Sequence, residues 1–441
     1  DDALSRGLGD VYKRQFHSEL GFIKKRITET LGDLYGMHWP FKQHKTSRNI
    51  KTLPHHDNLK SFGACFGVSG GYERPMWFAL DGEKTEYEYS YNYQTWYPSA
   101  EHETNNTIKN VGLFDLTPFS KFEIKSDKAH QELQKICTAN IKNEPGKCVY
   151  THMLNSDGGI ETDLTVVCVD KNHFRIISSA ATRERDKFHI NKHLSKNVEL
   201  KDITDDLCVF GLFGPKSRDL LKTLSEDNFE NDQFRFGFAK FITIDGVKIW
   251  TQRLSYVGEL GYELYVDLKD AKKIYELLIE KGKDFNLSNC GMHAMDIMRM
   301  ESGFLHWGHD ISPEENQYQA GLAFTISNKK DVDFIGKQAL EKIKQDKVKT
   351  RFSMFTLKES EPGKPLLLHD EPIYDGDKII GRSTSGNYSF NFKKNLVFGY
   401  INNDLSNEEL QNKNLFIEVE KKKYPIKSIS KPLKQTNFKN N

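Results

Sequence analysis

Apolar residues recur at three- and four-residue spacing from Phe16 through Leu20, Ile23, Ile27, Leu31 and Leu34. This spacing predicts an amphipathic helix, which Pro40 stops. An irregular stretch follows through Pro54 and His55-His56-Asp57 and leads into GACFGVSGGYERPMWFAL. Strands and helices then alternate between about 85 and 330. FEI at 122–124 reads as a strand ahead of a helix over about 129–136. LTVVCV and HFRIISS alternate around a turn at Asp170-Lys171-Asn172 and predict a hairpin. LCVFGLFG runs into a helix with Pro215 near its start, where proline is tolerated. KFITI and VKIW flank Asp245-Gly246, a pair suited to a type I′ turn. GYELYV precedes a helix in AKKIYELLIEKG, which Gly282 is expected to end. After about Arg351 short strands separated by Gly, Asp and Asn predict a small β-barrel. The fold class expected is α+β, with two consecutive α+β units rather than one doubly wound sheet, and a C-terminal barrel. Residues 1–15 do not fit the periodic pattern that follows and are expected to be a non-native terminal scar.

Composition narrows the classes of function. The 441 residues carry 63 basic and 62 acidic side chains, so no global electrostatic footprint exists for nucleic acid or an anionic membrane. Aromatic residues at 12% argue against a disordered chain. No apolar run approaches the roughly 18 residues that would span a bilayer. The six cysteines are scattered without a CxxC pair, which signals neither a zinc site nor a disulfide framework. The first residues, Asp1-Asp2-Ala3-Leu4, lack the apolar core of a signal peptide, so a reducing cytoplasm is the expected location. No GxGxxG joins a strand to a helix, and P-loop and HExxH motifs are missing. His55 and His56 are adjacent on an extended stretch and should point apart, so no metal is expected. Lys393-Lys394 and Lys421-Lys422-Lys423 read as solvated faces.

The most informative stretch is Tyr150-Thr-His-Met-Leu-Asn-Ser-Asp-Gly-Gly-Ile-Glu-Thr-Asp163-Leu-Thr-Val. Gly158-Gly159 makes a turn, and an acid then heads a nearly continuous apolar strand. Aspartate is depleted in strands, and a carboxylate at a buried edge must find donors or a ligand. Chemistry alone leaves open a turn-flanking Asp that bonds only backbone.

This stretch resembles the catalytic segment of the glycine-cleavage T-protein (aminomethyltransferase) family. Arg253-Leu-Ser-Tyr256-Val-Gly258-Glu259-Leu-Gly261-Tyr262-Glu263 is similar to that family's R-x-G-Y-T-G-E-D-G-F-E. Ile297-Met-Arg299-Met-Glu301-Ser-Gly303 is similar to its L-R-L-E-x-G, and Thr384-Ser385-Gly386 to the T-S-G turn of its barrel. The N-terminal flank, with ERPMWFAL, resembles the segment joining flavin and folate domains in sarcosine and dimethylglycine dehydrogenases. His306-Trp307-Gly308-His309-Asp310 resembles their H-W-G-x-D/E rather than the L-Y-G of stand-alone T-proteins.

The resemblance implies a T-protein-like folate-binding fold: a remnant and linker of a flavin domain over 16–84, a folate-binding domain over 85–345, and the barrel over 346–441. It implies tetrahydrofolate as cofactor, with FAD in a flavin domain absent from this chain. The partners implied are folate and a small N-methyl amine, or its iminium or formaldehyde product. Asp163 corresponds to the catalytic acid. Tyr150, Tyr256 and Glu263 correspond to pterin-site residues, Arg253 and Arg299 are basic residues able to hold folate carboxylates or orient Glu263, and Trp307 sits within a matched motif. Structural ion pairs remain the other reading of both arginines. The sequence departs from the T-protein pattern at Met295, where the family has Arg, and at Phe438, where it often ends with Asn-Tyr. A stand-alone aminomethyltransferase or demethylase and a non-catalytic folate-binding relative are the alternatives.

Overall fold

The computed structural model describes residues 20–436. The expected terminal scar, residues 1–15, and the change at Phe438 lie outside them. Two sheets, a closed barrel and one separate hairpin make up the strand architecture among these residues.

The first sheet has six strands in the order Ala239–Ile244, Val247–Gln252, Gly261–Asp267, Leu207–Phe213, Val111–Asp115 and Leu287–Cys290. All neighbours are antiparallel except the last pair. The second sheet has five: Cys148–Leu154, Ile160–Asp170, His173–Ser178, Ser120–Lys125 and Leu200–Asp202. The Asp245-Gly246 turn forms as expected, with φ of 46° and 77° at its two residues, the signature of type I′. Helix Ala271–Gly282 also forms where the pattern places it, but its end differs. A short 3₁₀ turn, Lys283–Phe285, continues the helix, and Asn286 supplies the left-handed residue at φ 54°. Gly282 is needed for space instead, since a Cβ there would lie 2.6 Å from the Leu287 side chain.

Each sheet buries one face beneath its own helices. Leu212, Leu264, Val266 and helix residues Ile274 and Leu278 pack on the outer side of the first sheet. Phe122, Val166 and Ile176 pack against helix residues Leu133 and Ile136 on the outer side of the second. The remaining two faces meet each other. Val209, Trp250 and Tyr265 from the first sheet touch Cys148 and Val167 from the second in one shared cluster. Alternation therefore sends every second residue of the central strands into the layer between the sheets.

The barrel closes through Thr350–Leu357, Lys394–Asn402, Lys378–Ser389, Pro372–Asp375, Leu415–Val419 and Lys422–Ile429, the last pairing back with the first. Residues 53–78, read from sequence as part of a linker, contribute Leu53, Leu59, Ala64, Tyr72 and Phe78 to the outer core of the first sheet. Helix Leu20–Gly32 forms within the predicted stretch, yet its apolar stripe stays largely open: Leu20 and Leu31 are exposed, and Arg26 is its one buried residue.

Candidate active site between the two sheets

Asp163 sits on strand Ile160–Asp170, half-buried and directly opposite His152 on the neighbouring strand. The turn that delivers it needs its glycines. Gly158 has φ 87°, and a Cβ on Gly159 would stand 1.9 Å from the Pro313 carbonyl oxygen. Tyr150, two residues before His152 and so on the same face, donates its hydroxyl to Asp163 Oδ2 at 3.2 Å. Burial lifts the Asp163 carboxyl to about 6, although the Tyr150 hydroxyl works in the opposite direction. Tyr150 is 39% exposed, yet burial also drives its hydroxyl well above the usual phenol range. A side chain both wet and walled by protein lies in a recess.

Tyr256 lines the same recess, within electrostatic reach of Asp163 and of Asp296. Its hydroxyl donates to the Leu305 carbonyl at 2.7 Å, and its ring stacks on Phe304. Glu263 enters from the first sheet on the face that carries Tyr265, two residues on. Tyr265 donates to Glu263 Oε2 at 2.9 Å, and burial raises this carboxyl to about 7. The facing sheets thus present two carboxyl groups, each with one tyrosine donor and each held near neutrality.

The two arginines do not join them. Arg253 follows the end of strand Val247–Gln252 on the side opposite Glu263. Its guanidinium donates to the Phe234 carbonyl at 2.6 Å in the layer that holds Tyr262 and Arg218. Arg299 is a structural hub. Its Nε donates to Asp296 at 2.8 Å, its Nη1 to Asp310 and the Phe304 carbonyl, and its Nη2 to Ser385 at 2.8 Å. All three nitrogens are engaged within the protein, the arrangement that the structural reading of Arg299 describes. Asp310 also accepts from Thr384 and Ser385, so the segments 297–303, 306–310 and 384–386 are one buried network.

Trp307 stands half-buried at the head of the Asp163 strand. Its indole donates to the Ile160 carbonyl at 3.1 Å, while Arg185 lies over its ring and pairs with Glu161. Met295 is buried in the inter-sheet core. Sequence reading gave no role to Tyr265 or His152, and it quoted Asp310 only as part of a matched motif. Only the two-residue spacing of Glu263 and Tyr265 on one strand could have flagged the first. His152 sits in contact with Thr325, its Nδ1 3.0 Å from the hydroxyl, and burial lowers its ring to about 3.

His55 and His56 point apart, the first stacked on Tyr275 and the second against Phe66. Among the described residues no group of three His, Cys, Asp or Glu is placed to hold a metal, and no helix is long and apolar enough to cross a membrane. All six cysteines are buried and free.

Residues 55–330 match the GCVT N-terminal domain, and residues 351–434 match the glycine cleavage T-protein C-terminal barrel domain. The chain belongs to the glycine cleavage T-protein family. The 4-methylaminobutanoate oxidase (formaldehyde-forming) of Paenarthrobacter nicotinovorans is 37% identical over 381 residues, covering 86% of this chain and 46% of that protein. The mitochondrial dimethylglycine dehydrogenase of Rattus norvegicus is 33% identical over 370 residues, covering 83% of this chain and 42% of that one. The chain therefore spans less than half the length of these relatives. The crystal structure of the glycine cleavage system aminomethyltransferase T from Bartonella henselae superposes with a TM-score of 0.74 over 88% of this chain and 98% of that one, at 20% identity. Shared T-protein architecture accounts for the two sheets and the barrel.

Proposed function

We propose that the inter-sheet cleft binds tetrahydrofolate and that the chain passes a one-carbon unit to it, giving 5,10-methylenetetrahydrofolate. The observation that carries this reading is the facing pair of near-neutral carboxyls, Asp163 with Tyr150 and Glu263 with Tyr265. The donor set fits a reduced pterin. Tyr265 engages one oxygen of Glu263, and the other is free to accept N–H groups from the ring edge. The folate supplies the nucleophilic amine. Asp163, with its carboxyl near 6, accepts the proton that this amine gives up and stabilises positive charge beside it. Tyr150 and Tyr256 narrow the recess and keep the reactive carbon close to its acceptor.

In this reading the chain is the C-terminal part of a sarcosine- or dimethylglycine-dehydrogenase-like N-methyl amine oxidoreductase. FAD and most contacts to the amine belong to the flavin part of that enzyme. The HWG segment supports this branch, because Trp307 and Asp310 are both built into the support of the cleft. Calorimetric titration with tetrahydrofolate tests the reading. Saturable binding that weakens in Glu263→Ala supports it, and failure of the wild-type chain to bind overturns it.

A further inference from the structure

Gln252 is the last residue of its strand and stands directly across from Glu263. It is completely buried, and neither its amide nitrogen nor its amide oxygen has a hydrogen-bond partner. Buried amides are almost always paired, because an unpaired one has lost its water without replacement. Two neighbours on the cleft face are in the same condition. The Trp250 indole nitrogen and the Arg175 Nη1 are buried without partners, and the Arg175 guanidinium lies 5.9 Å from the Trp250 ring and 5.8 Å from the Tyr265 ring. Such a concentration of unmet donors and acceptors beside a half-open carboxylate is what a polar ligand edge would complete.

The geometry points to Gln252 as a second reader of the pterin ring, its amide pairing with the ring's lactam edge while Glu263 accepts the neighbouring N–H groups. This rests on the folate reading above. The chemistry is complementary, since a pterin edge carries a carbonyl acceptor and N–H donors side by side, and an amide offers one donor and one acceptor. Residues directly opposite in an antiparallel pair have Cβ atoms roughly 5 Å apart, so the Gln252 and Glu263 side chains can reach one flat ring together. Ala239 flanks Gln252 on its other side and competes for neither amide atom. In the ligand-free protein the amide is shut off from water, and Glu263 is the open side of the pair. The ring would approach over Glu263, and rotation of the flexible Gln252 side chain would bring its amide to meet it.

The test measures tetrahydrofolate affinity by calorimetry for the wild type, Gln252→Met and Gln252→Leu, with the ligand-free Tm of each. We expect both variants to bind about tenfold more weakly, roughly 1.4 kcal/mol. Their ligand-free Tm should be unchanged or higher, because an unsatisfied buried amide has been removed. The ring fragment 6-methyltetrahydropterin should lose affinity by the same factor, and p-aminobenzoylglutamate, the tail alone, should lose none. Unchanged tetrahydrofolate affinity in either folded variant overturns the assignment to Gln252. So does a loss confined to the tail fragment, or a fall of several degrees in ligand-free Tm for both variants, which marks a structural glutamine. A wild-type chain that binds neither tetrahydrofolate nor the ring fragment overturns the folate reading itself.

Discussion

At the scale of single residues, environment gives two carboxyl groups different work. Asp163 is lifted to about 6 by burial, so it is ionised at neutral pH yet still able to take a proton. Asp163→Asn keeps the shape and removes this capacity. One-carbon capture should slow by about 10²–10⁴-fold with Tm little changed. In the wild type, capture should rise with pH through about 6, and that step should vanish in the variant; a retained step assigns the proton to another group. Glu263 must be ionised to accept two ring donors, and its carboxyl is raised to about 7. Tetrahydrofolate affinity should therefore strengthen as pH rises through 7. Removing this half-buried charged partner, which the ligand would enclose, in Glu263→Ala should cost about 2–5 kcal/mol of binding, against under about 1 kcal/mol for the exposed Lys422→Ala. Equal affinities by calorimetry would reject the assignment of Glu263.

At the scale of elements, the Gly158-Gly159 turn decides where Asp163 stands. The Pro313 carbonyl occupies the space a Cβ on Gly159 would need, and the Trp307 indole holds the next residue's carbonyl. Gly159→Ala should lose about 2 kcal/mol or more in urea unfolding, by overpacking. Gly246→Ala, strained in φ but with open space around it, should lose only about 1 kcal/mol. Equal losses would show that the Pro313 contact yields. These elements were legible in sequence to different degrees. The hairpin at Asp245-Gly246 and the helix Ala271–Gly282 follow from local signals. Two α+β units follow from the alternation, but they are not consecutive as expected: strand Val111–Asp115 pairs into the first sheet, so the second sheet, over 120–202, is inserted within the first. Arg253 and Glu263 were read as one motif, yet they lie on opposite sides of the sheet, because the strand ends at Gln252 and the chain between them turns. Arg299 was legible as a basic residue of a matched motif, but its partners Asp310 and Ser385 come from the 306–310 segment and the barrel. No single-sequence periodicity pairs residues so far apart.

At the scale of the whole molecule, the site depends on parts of the chain that are far apart in sequence staying locked together. Arg299 and Asp310 join the barrel to the site, and Glu103 performs a similar task on the far side. It is fully buried on helix Tyr97–Lys109, and its two oxygens accept the Phe78 and Gly291 backbone N–H groups at 2.7 Å each. One carboxyl therefore ties the hairpin strand Tyr72–Phe78 to the start of helix Met292–Glu301, the helix that carries Arg299. Burial outweighs these two donors and raises the Glu103 carboxyl to about 8. The unfolded chain releases this proton near 4.5, so between about 4.5 and 8 the folded state holds more protons than the unfolded state. The stability contributed by Glu103 is complete below 4.5 and is lost as pH rises through 8. Ionising a carboxyl raised this far costs the fold a few kcal/mol, since each tenfold change in proton affinity is worth about 1.4 kcal/mol. Asp186, raised to about 7, adds to the same decline, whereas His152 and His293, lowered to about 3, act only below about 6.5. Lys121, lowered by burial to about 7, and Lys330, lowered to about 8, work in the opposite direction over the same range. The difference between wild type and Glu103→Gln in the Tm change from pH 6.5 to pH 9 therefore isolates Glu103. The wild type should change less favourably across this interval than Glu103→Gln, because an amide has no proton to release there. If both proteins respond in parallel, Glu103 stays ionised in the fold, and the joint between hairpin and helix is held by its charge rather than by its proton.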